Sequence, residues 1–472
     1  MSVDKIRSLY HSVFGSEPET VVLLPASGSS RRYYRVSGNK TVIATSGENV
    51  SENRAFVYFA RYFKALDLPV PEIYGVSDDE LCYLQQDLGS LSLFDELTKY
   101  GVGSVRVMTL YRNVMKLLPH FQFGHEGIDK NYCFVRESMD KRAAMWDLNY
   151  FKYSFLKPVL EEFDEDRLED DFEKLAEAVV SNPERALMIR DFQSRNIMIC
   201  DDDEYLIDFQ GLRRGSCLYD VASMLWQARA GLSDKQREEL FGVYMDEAQR
   251  IIGGKIENAR KRYELMVLFR TLQVLGAYGF RGYFEKKTHF LMSIIPAVEN
   301  LRQICGTMSF SGLDYLMGLL MKITRMSRFS NGSQEDGLTV RVTSFSYRYG
   351  VPDDLTGNGG GFVFDCRAVH NPGRYEEYKC MTGMDDAVIR FLEIHSEMPQ
   401  FMEECYALVD RAVEKYIERG FTSLMVNFGC TGGQHRSVYG AESMARHIND
   451  KYGVRVVLEH TRQSVTKEYP KR

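Results

Sequence analysis

The sequence lacks the marks of several common protein classes. No run of eighteen uncharged apolar residues occurs, so no membrane-spanning helix is expected. The opening MSVDKIRSLYHSVFG carries charges where a secretory leader needs an apolar stretch. The nine cysteines are scattered and form no CxxC pair. That argues against structural zinc and a disulfide framework, and for reduced thiols in a cytoplasmic protein. Positive charge is not in excess: the net charge is -7 and the pI about 5.8. Nonspecific nucleic-acid binding is therefore not the expected main task. No internal repeat is present, and nothing sets an oligomeric state. Aromatic residues are plentiful, with 28 Tyr and 28 Phe.

At 472 residues the chain predicts two or three domains. The clearest seam is RFSNGSQEDGLTV, Arg328 to Val340, where polar and turn-forming residues cluster. We expect domains over 1–327 and 340–472 with a linker over 328–339. The first part reads as mostly helical towards its end. The second alternates strand and helix: LTVRVTSFSY, GFVFDCRA, FTSLMVNFG and VRVVLEH are strands. This predicts a small α/β domain with a mainly parallel sheet. The acidic run EEFDEDRLEDDFE, Glu161 to Glu173, reads as a solvated helix face or loop.

Two segments in the first part carry chemistry. LMIRDFQSRNIMI places Asp191 and Asn196 in one loop, and YLIDFQG places Asp208 at the end of an apolar strand. The intervening CDDDE reads as a hairpin turn. Phosphoryl transfer from ATP needs these parts: one carboxylate to orient the acceptor hydroxyl, and an amide and a second carboxylate to hold Mg²⁺. Upstream, VVLLPASGSSRRYYRVSG reads as strand, small-residue turn, strand. Ser27, Gly28, Ser29 and Ser30 would let backbone N–H groups approach phosphates. A plain hairpin is the simpler alternative. LCYLQQDLGS, with Gln86 and Asp87, reads as an apolar strand followed by Asp-Leu-Gly and a helix; in a kinase-like fold this would be the hinge between lobes, where adenine meets the backbone. The aromatic segment Met145 to Lys157 reads either as an acceptor platform or as core.

These motifs resemble the aminoglycoside phosphotransferase-like kinase superfamily over roughly Asp4 to Arg325. The resemblance implies a bilobal α+β kinase-like domain, with ATP and Mg²⁺ as cofactors. Asp191 would be the catalytic base, and Asn196 and Asp208 the metal ligands. Asp220, in YDVASML, would lie beneath the catalytic loop. There are departures. Ile189 stands where kinases usually have histidine, and the usual strand lysine is missing from TVIAT, Thr41 to Thr45. Lys40, Arg31 or Arg32 would have to serve the phosphates, and Glu52 is the candidate helix carboxylate. Within the superfamily, GSSRRYYRV and RDFQSRNIM look most like bacterial anomeric kinases of N-acetylmuramate and N-acetylglucosamine in cell-wall recycling. That implies a small-molecule sugar substrate. A degraded kinase that only binds nucleotide is the alternative.

VNFGCTGGQHRSV, Val426 to Val438, joins an apolar strand to a helix through a glycine-rich turn. Backbone N–H groups and a helix dipole converge in such a turn on an anion. It is not a Walker A loop, because the spacing is short and no Lys-Ser or Lys-Thr follows. Cys430, Arg436 and Ser437 fit the Cys-x5-Arg-Ser loop of tyrosine-phosphatase-like enzymes, in which the cysteine is a nucleophile. Together with SFSYRYGVP, FVFDCRAVHNPG and MTGMDDAV, the loop resembles the C-terminal domain of the RapZ family. That implies a sugar-phosphate ligand held by Thr431, Gly432, Gly433, His435 and Arg436. Asp365, Arg367, His370 and Asn371 would lie on a loop that closes over it. RNA, another ligand in that family, is not expected. From Val340 onward 17 Lys and Arg face 18 Asp and Glu, so no phosphate-neutralising excess exists.

Overall fold

The structure is a computed structural model and describes residues 3–25, 31–160, 162–181, 186–329, 337–357 and 360–472. Two compact units form. One comprises 1–276 with 300–320, the other 277–299 with 321–472.

The first unit begins with a five-stranded antiparallel sheet. Its spatial order is Thr20–Leu23, Arg32–Ser37, Val42–Ser46, Cys82–Gln86, Ile73–Val76. Val36, Val42, Ala44, Cys82 and Leu84 bury one face under the helix Val3–Phe14. The helix Val50–Lys64 is started by Asn49, whose side chain accepts from Glu52 N. Its Phe56 stacks on Tyr83 of the sheet and on Phe209 beside Asp208. The rest of the unit is mainly helical. The expected hairpin is present: Ile197–Cys200 pairs with Asp203–Leu206. Asp201 and Asp202 take φ of 53° and 67° in the turn, the two left-handed residues a two-residue hairpin needs.

The acidic run is only partly a solvated face. It enters the helix Glu165–Val180, and Asp171 is buried there. Its Oδ2 accepts from Leu316 N at 3.0 Å, capping the helix Asp314–Thr324. In the aromatic segment, Leu148, Phe151, Phe155 and Leu156 are core, while Trp146 and Tyr153 are exposed.

The second unit holds a five-stranded sheet in the order Gly361–Asp365, Ser423–Cys430, Thr339–Ser346, Arg455–His460, Val465–Tyr469. The first four strands are parallel, and the last is antiparallel. Parallel strands are covered on both faces, which is why LMVNFGC reads as a continuous run. The helix Arg436–Tyr452 lays Val438, Ala441, Ala445 and Ile448 on the sheet. The helix Met398–Glu418 buries Met398, Met402, Cys405, Val409 and Val413, spaced three and four apart. The antiparallel edge strand Val465–Tyr469 was not read from the sequence. Its charged, solvent-facing residues hide the alternation, as expected of an edge.

Candidate functional site

In the first unit, the hairpin and the loop before it bring Asp191, Asn196 and Asp208 together. Asn196 Nδ2 donates to Asp191 O at 2.8 Å and lies 3.3 Å from Asp208 Oδ2. Ile207 N donates to Asn196 O at 2.9 Å, tying the two arms. Arg190 and Asp208 take φ of +77° and +63°, a strained region for residues with a Cβ. Burial, followed by the charge of Asp191, pushes the Asp208 carboxyl above its ordinary value. Asp191 itself is half exposed, with Arg270 3.6 Å from its Oδ1.

Asp220 lies beneath this loop. It is fully buried and accepts from Ile189 N, Arg190 N and Gln122 Nε2, each at 2.9 Å. Gln122 is held in turn by Tyr244 at 2.7 Å. Burial is the largest influence on the Asp220 carboxyl, which is pushed up to about 6.

The missing strand lysine has a counterpart. Arg31 is 4% exposed; it meets Glu52 Oε1 at 2.6 Å and comes within 3.7 Å of Asp208 Oδ1. Gln210 bridges the same carboxylates, at 2.8 Å from Asp208 and 3.4 Å from Glu52. The guanidinium therefore sits where the carboxylates of Glu52 and Asp208 meet. Of the other candidates, Lys40 lies over the Tyr74 ring, and Arg32 is exposed. Arg31→Met should lower turnover about 100-fold, the range for losing a preorganised charge at a reacting phosphate. Steady-state ADP formation checks this.

The hinge side chain of Asp87 is occupied: Arg35 reaches its two oxygens at 2.6 and 3.1 Å, and Gly89 N donates at 2.9 Å. The peptide backbone there remains the expected adenine contact. Gln86 continues the strand, and its Oε1 accepts from Glu72 N at 3.4 Å. Ser27, Gly28, Ser29 and Ser30 lie outside the described residues.

In the second unit, the glycine loop follows the strand Ser423–Cys430. Gly429 admits no side chain, since a Cβ would lie 2.5 Å from the Phe345 ring and 2.6 Å from that of Tyr347. The loop donors converge on sulfur: Gly433 N lies 3.2 Å and Ser437 Oγ 3.1 Å from Cys430 Sγ. Burial pushes the Cys430 thiol up. Hydrogen bonds from the Ser437 hydroxyl and from N–H groups of Ser437, Gln434 and Gly433 outweigh it and hold the thiol below its ordinary value.

The two side chains expected to add charge at the helix start are turned to backbone carbonyls. His435 Nε2 contacts Tyr378 O at 2.9 Å, and burial holds its imidazole below the ordinary value. Arg436 Nη1 donates to Val369 O at 2.7 Å and Arg367 O at 3.1 Å. Both are buried, while Thr431 and Gly432 are exposed. Asp365 and Arg367 form a close pair, with Arg367 over the Tyr347 ring at 4.1 Å. His370 meets Tyr375, and Asn371 caps Gly373 N. Arg462, which the sequence did not single out, packs against Gly433.

Gly433 takes φ of +67°, and a Cβ there would lie 2.7 Å from Arg462 Cγ and 3.0 Å from Ser346 N. Gly433→Ala should therefore cost roughly 2 kcal/mol, about 1–2 from the left-handed backbone and the rest from crowding. Urea denaturation checks it.

Comparison with known proteins agrees with both halves. Residues 20–251 match the model of the phosphotransferase enzyme family, and residues 338–464 that of the RapZ C-terminal domain. A nucleotide-binding protein of Geobacillus kaustophilus is 38% identical over 133 residues, covering 28% of this chain and 42% of that protein. One of Glaesserella parasuis is 37% identical over 145 residues, covering 31% and 48%. The chain thus spans less than half the length of these relatives. Among solved structures, a choline kinase from Streptococcus pneumoniae is 14% identical, covering 64% of this chain and 98% of that one, at a TM-score of 0.43. A choline/ethanolamine kinase family protein from Mesorhizobium loti is 12% identical, covering 68% and 100%, at 0.44. This one chain carries a phosphotransferase enzyme family segment followed by a RapZ C-terminal domain.

Proposed function

We propose that the chain is an ATP-dependent kinase of a sugar hydroxyl, with the anomeric position of N-acetylmuramate or N-acetylglucosamine as acceptor. The observation that carries this reading is the grouping of Asp191, Asn196 and Asp208 at the base of one hairpin, with the Arg31–Glu52 pair reaching Asp208. Asn196 and Asp208 would hold Mg²⁺. Their donor set fits: the Asn196 Nδ2 faces protein acceptors, leaving Oδ1, and both ligands are hard oxygens. Among the described residues no group of three His, Cys, Asp or Glu could hold a metal. The coordination of Mg²⁺ would thus be completed by phosphate oxygens and water, as is usual for this ion. When bound, Mg²⁺ and ATP supply the activated phosphoryl group. Asp191 orients the acceptor hydroxyl and takes its proton; Arg31 faces the phosphate side.

The test is ADP formation with Mg-ATP against N-acetylmuramate, N-acetylglucosamine, glucosamine and choline, with NMR of the product. Anomeric phosphates of the two N-acetyl sugars are expected. ATP binding without turnover of any acceptor would replace the reading with a nucleotide-binding regulator.

For the RapZ C-terminal domain we propose sensing of a sugar phosphate at Thr431, Gly432 and Gly433, with Arg367 and Arg462 at the rim. Calorimetry with glucosamine 6-phosphate tests this, and Gly433→Ala should weaken binding. One observation favours a second reading, a phosphatase: the lowered thiol of Cys430. Against it, Arg436 is bonded to carbonyls. We expect no phosphate release from sugar phosphates, and Cys430→Ser should leave ligand binding within about threefold, a change of about 0.6 kcal/mol. Phosphate release that Cys430→Ser abolishes would establish the phosphatase instead.

A further inference from the structure

Three arginines surround the buried phenol of Tyr219 beside Asp191, and they are not equally neutralised. Arg190 Nη2 meets Asp147 Oδ1 at 3.0 Å. Arg270 faces Asp191 at 3.6 Å and donates to Tyr219 OH at 3.1 Å. Arg213 makes no such ion pair; Asp147, already paired with Arg190, acts on it only from beyond that distance. It is 5% exposed, and among the described residues no carboxylate lies within ion-pair distance. Its one hydrogen bond there runs from Nε to Gly211 O at 3.4 Å. Burial, then the neighbouring charge of Arg190, lowers its guanidinium to about 10. A buried cation without a partner is costly, and proteins keep one where an anion completes it. Asp147 has the complementary vacancy: its Oδ2 is buried with no hydrogen-bond partner among the described residues. A buried carboxylate oxygen in that state is an acceptor waiting for a hydroxyl.

The two groups come from distant parts of the sequence. Asp147 lies on the helix Lys141–Phe151, and Arg213 on a short strand whose register partner is Met188. They converge beside the loop that carries Asp191. We propose that Arg213 and Asp147, with Arg190 between them, form an acceptor subsite for a polyhydroxyl molecule bearing a carboxylate. This deepens the kinase reading and rests on it. The carboxylate forms an ion pair with Arg213, and a ring hydroxyl donates to Asp147 Oδ2. Of these three guanidiniums only that of Arg213 lacks an ion pair among the described residues, which matches a single negative charge and disfavours a phosphate dianion.

N-acetylmuramate and N-acetylglucosamine differ by a lactyl ether that ends in a carboxylate, and so they isolate the charge. We would measure binding by calorimetry and kcat/KM for both sugars and for the methyl ester of the acid. The full-length protein is expected to favour the acid at least tenfold over the neutral sugar and the ester, in binding and in turnover. Arg213→Met should erase that preference, and Arg213→Lys should keep part of it. The ester comparison needs no variant, so a misfolded Arg213→Met leaves the proposal testable. Equal binding and turnover of acid, ester and neutral sugar would overturn the subsite and leave the kinase reading standing. Preferential binding of the acid without turnover of any sugar would uphold the subsite and overturn the kinase reading.

Discussion

Asp191→Asn should lower kcat for ADP formation by about 1,000-fold, within the range for losing a general base. Asparagine has nearly the shape of aspartate, so the loop keeps its geometry. The backbone carbonyl of residue 191 still accepts from Asn196. What disappears is the proposed proton acceptor and its negative charge beside Arg270. Binding of the nucleotide should change little, because the proposal assigns Asp191 to the acceptor and Asn196 and Asp208 to the metal. Single-turnover kinetics with a saturating sugar separate the two quantities. A fall of less than tenfold would mean that Asp191 is not the base.

Asp220→Ala should destabilise the first unit by about 3–5 kcal/mol. Its carboxylate satisfies two backbone N–H groups and one amide in a dry interior, and each orphaned donor costs about 1–3 kcal/mol. The variant should also lose activity, since Ile189 and Arg190 lead directly into Asp191. The pH dependence is a sharper readout. The folded carboxyl titrates at about 6, above the ordinary 3.8, so the folded state holds the proton more tightly. The contribution of this group is full below about pH 4 and is lost as the pH rises through about 6. Subtracting the urea stability of Asp220→Asn from that of the unaltered protein should expose this fall. A flat difference between pH 4 and 7 would show that Asp220 is ionised without cost.

What the sequence discloses depends on how local the structure is. Asp191, Asn196 and Asp208 are legible because all three flank one hairpin, whose turn residues and apolar strands adjoin in the chain. The parallel sheet of the second unit is legible because its three central strands are buried on both faces and two of them read as apolar runs. The Arg31–Glu52 pair is only half legible: Glu52 and the missing lysine were evident, but which of three cations answers it depends on how the sheet meets the helix Val50–Lys64. Asp147 was hidden inside an aromatic segment whose periodicity spoke only of core. His435 and Arg436 have the residue types of an anion site, yet carbonyls from the 367–378 region claim their side chains. No pattern within the loop itself could announce that.

Strain at the left-handed Asp208 has a consequence for laboratory evolution. Asp208, at φ +63°, also carries a carboxyl that burial and Asp191 disfavour. Replacing it with glycine would relax the backbone and remove the charge repulsion together, so a variant selected only for heat resistance would tend to drift towards silence at this position. Heat resistance and turnover therefore have to be screened jointly, because a library ranked on melting temperature alone would place inactive proteins at its head.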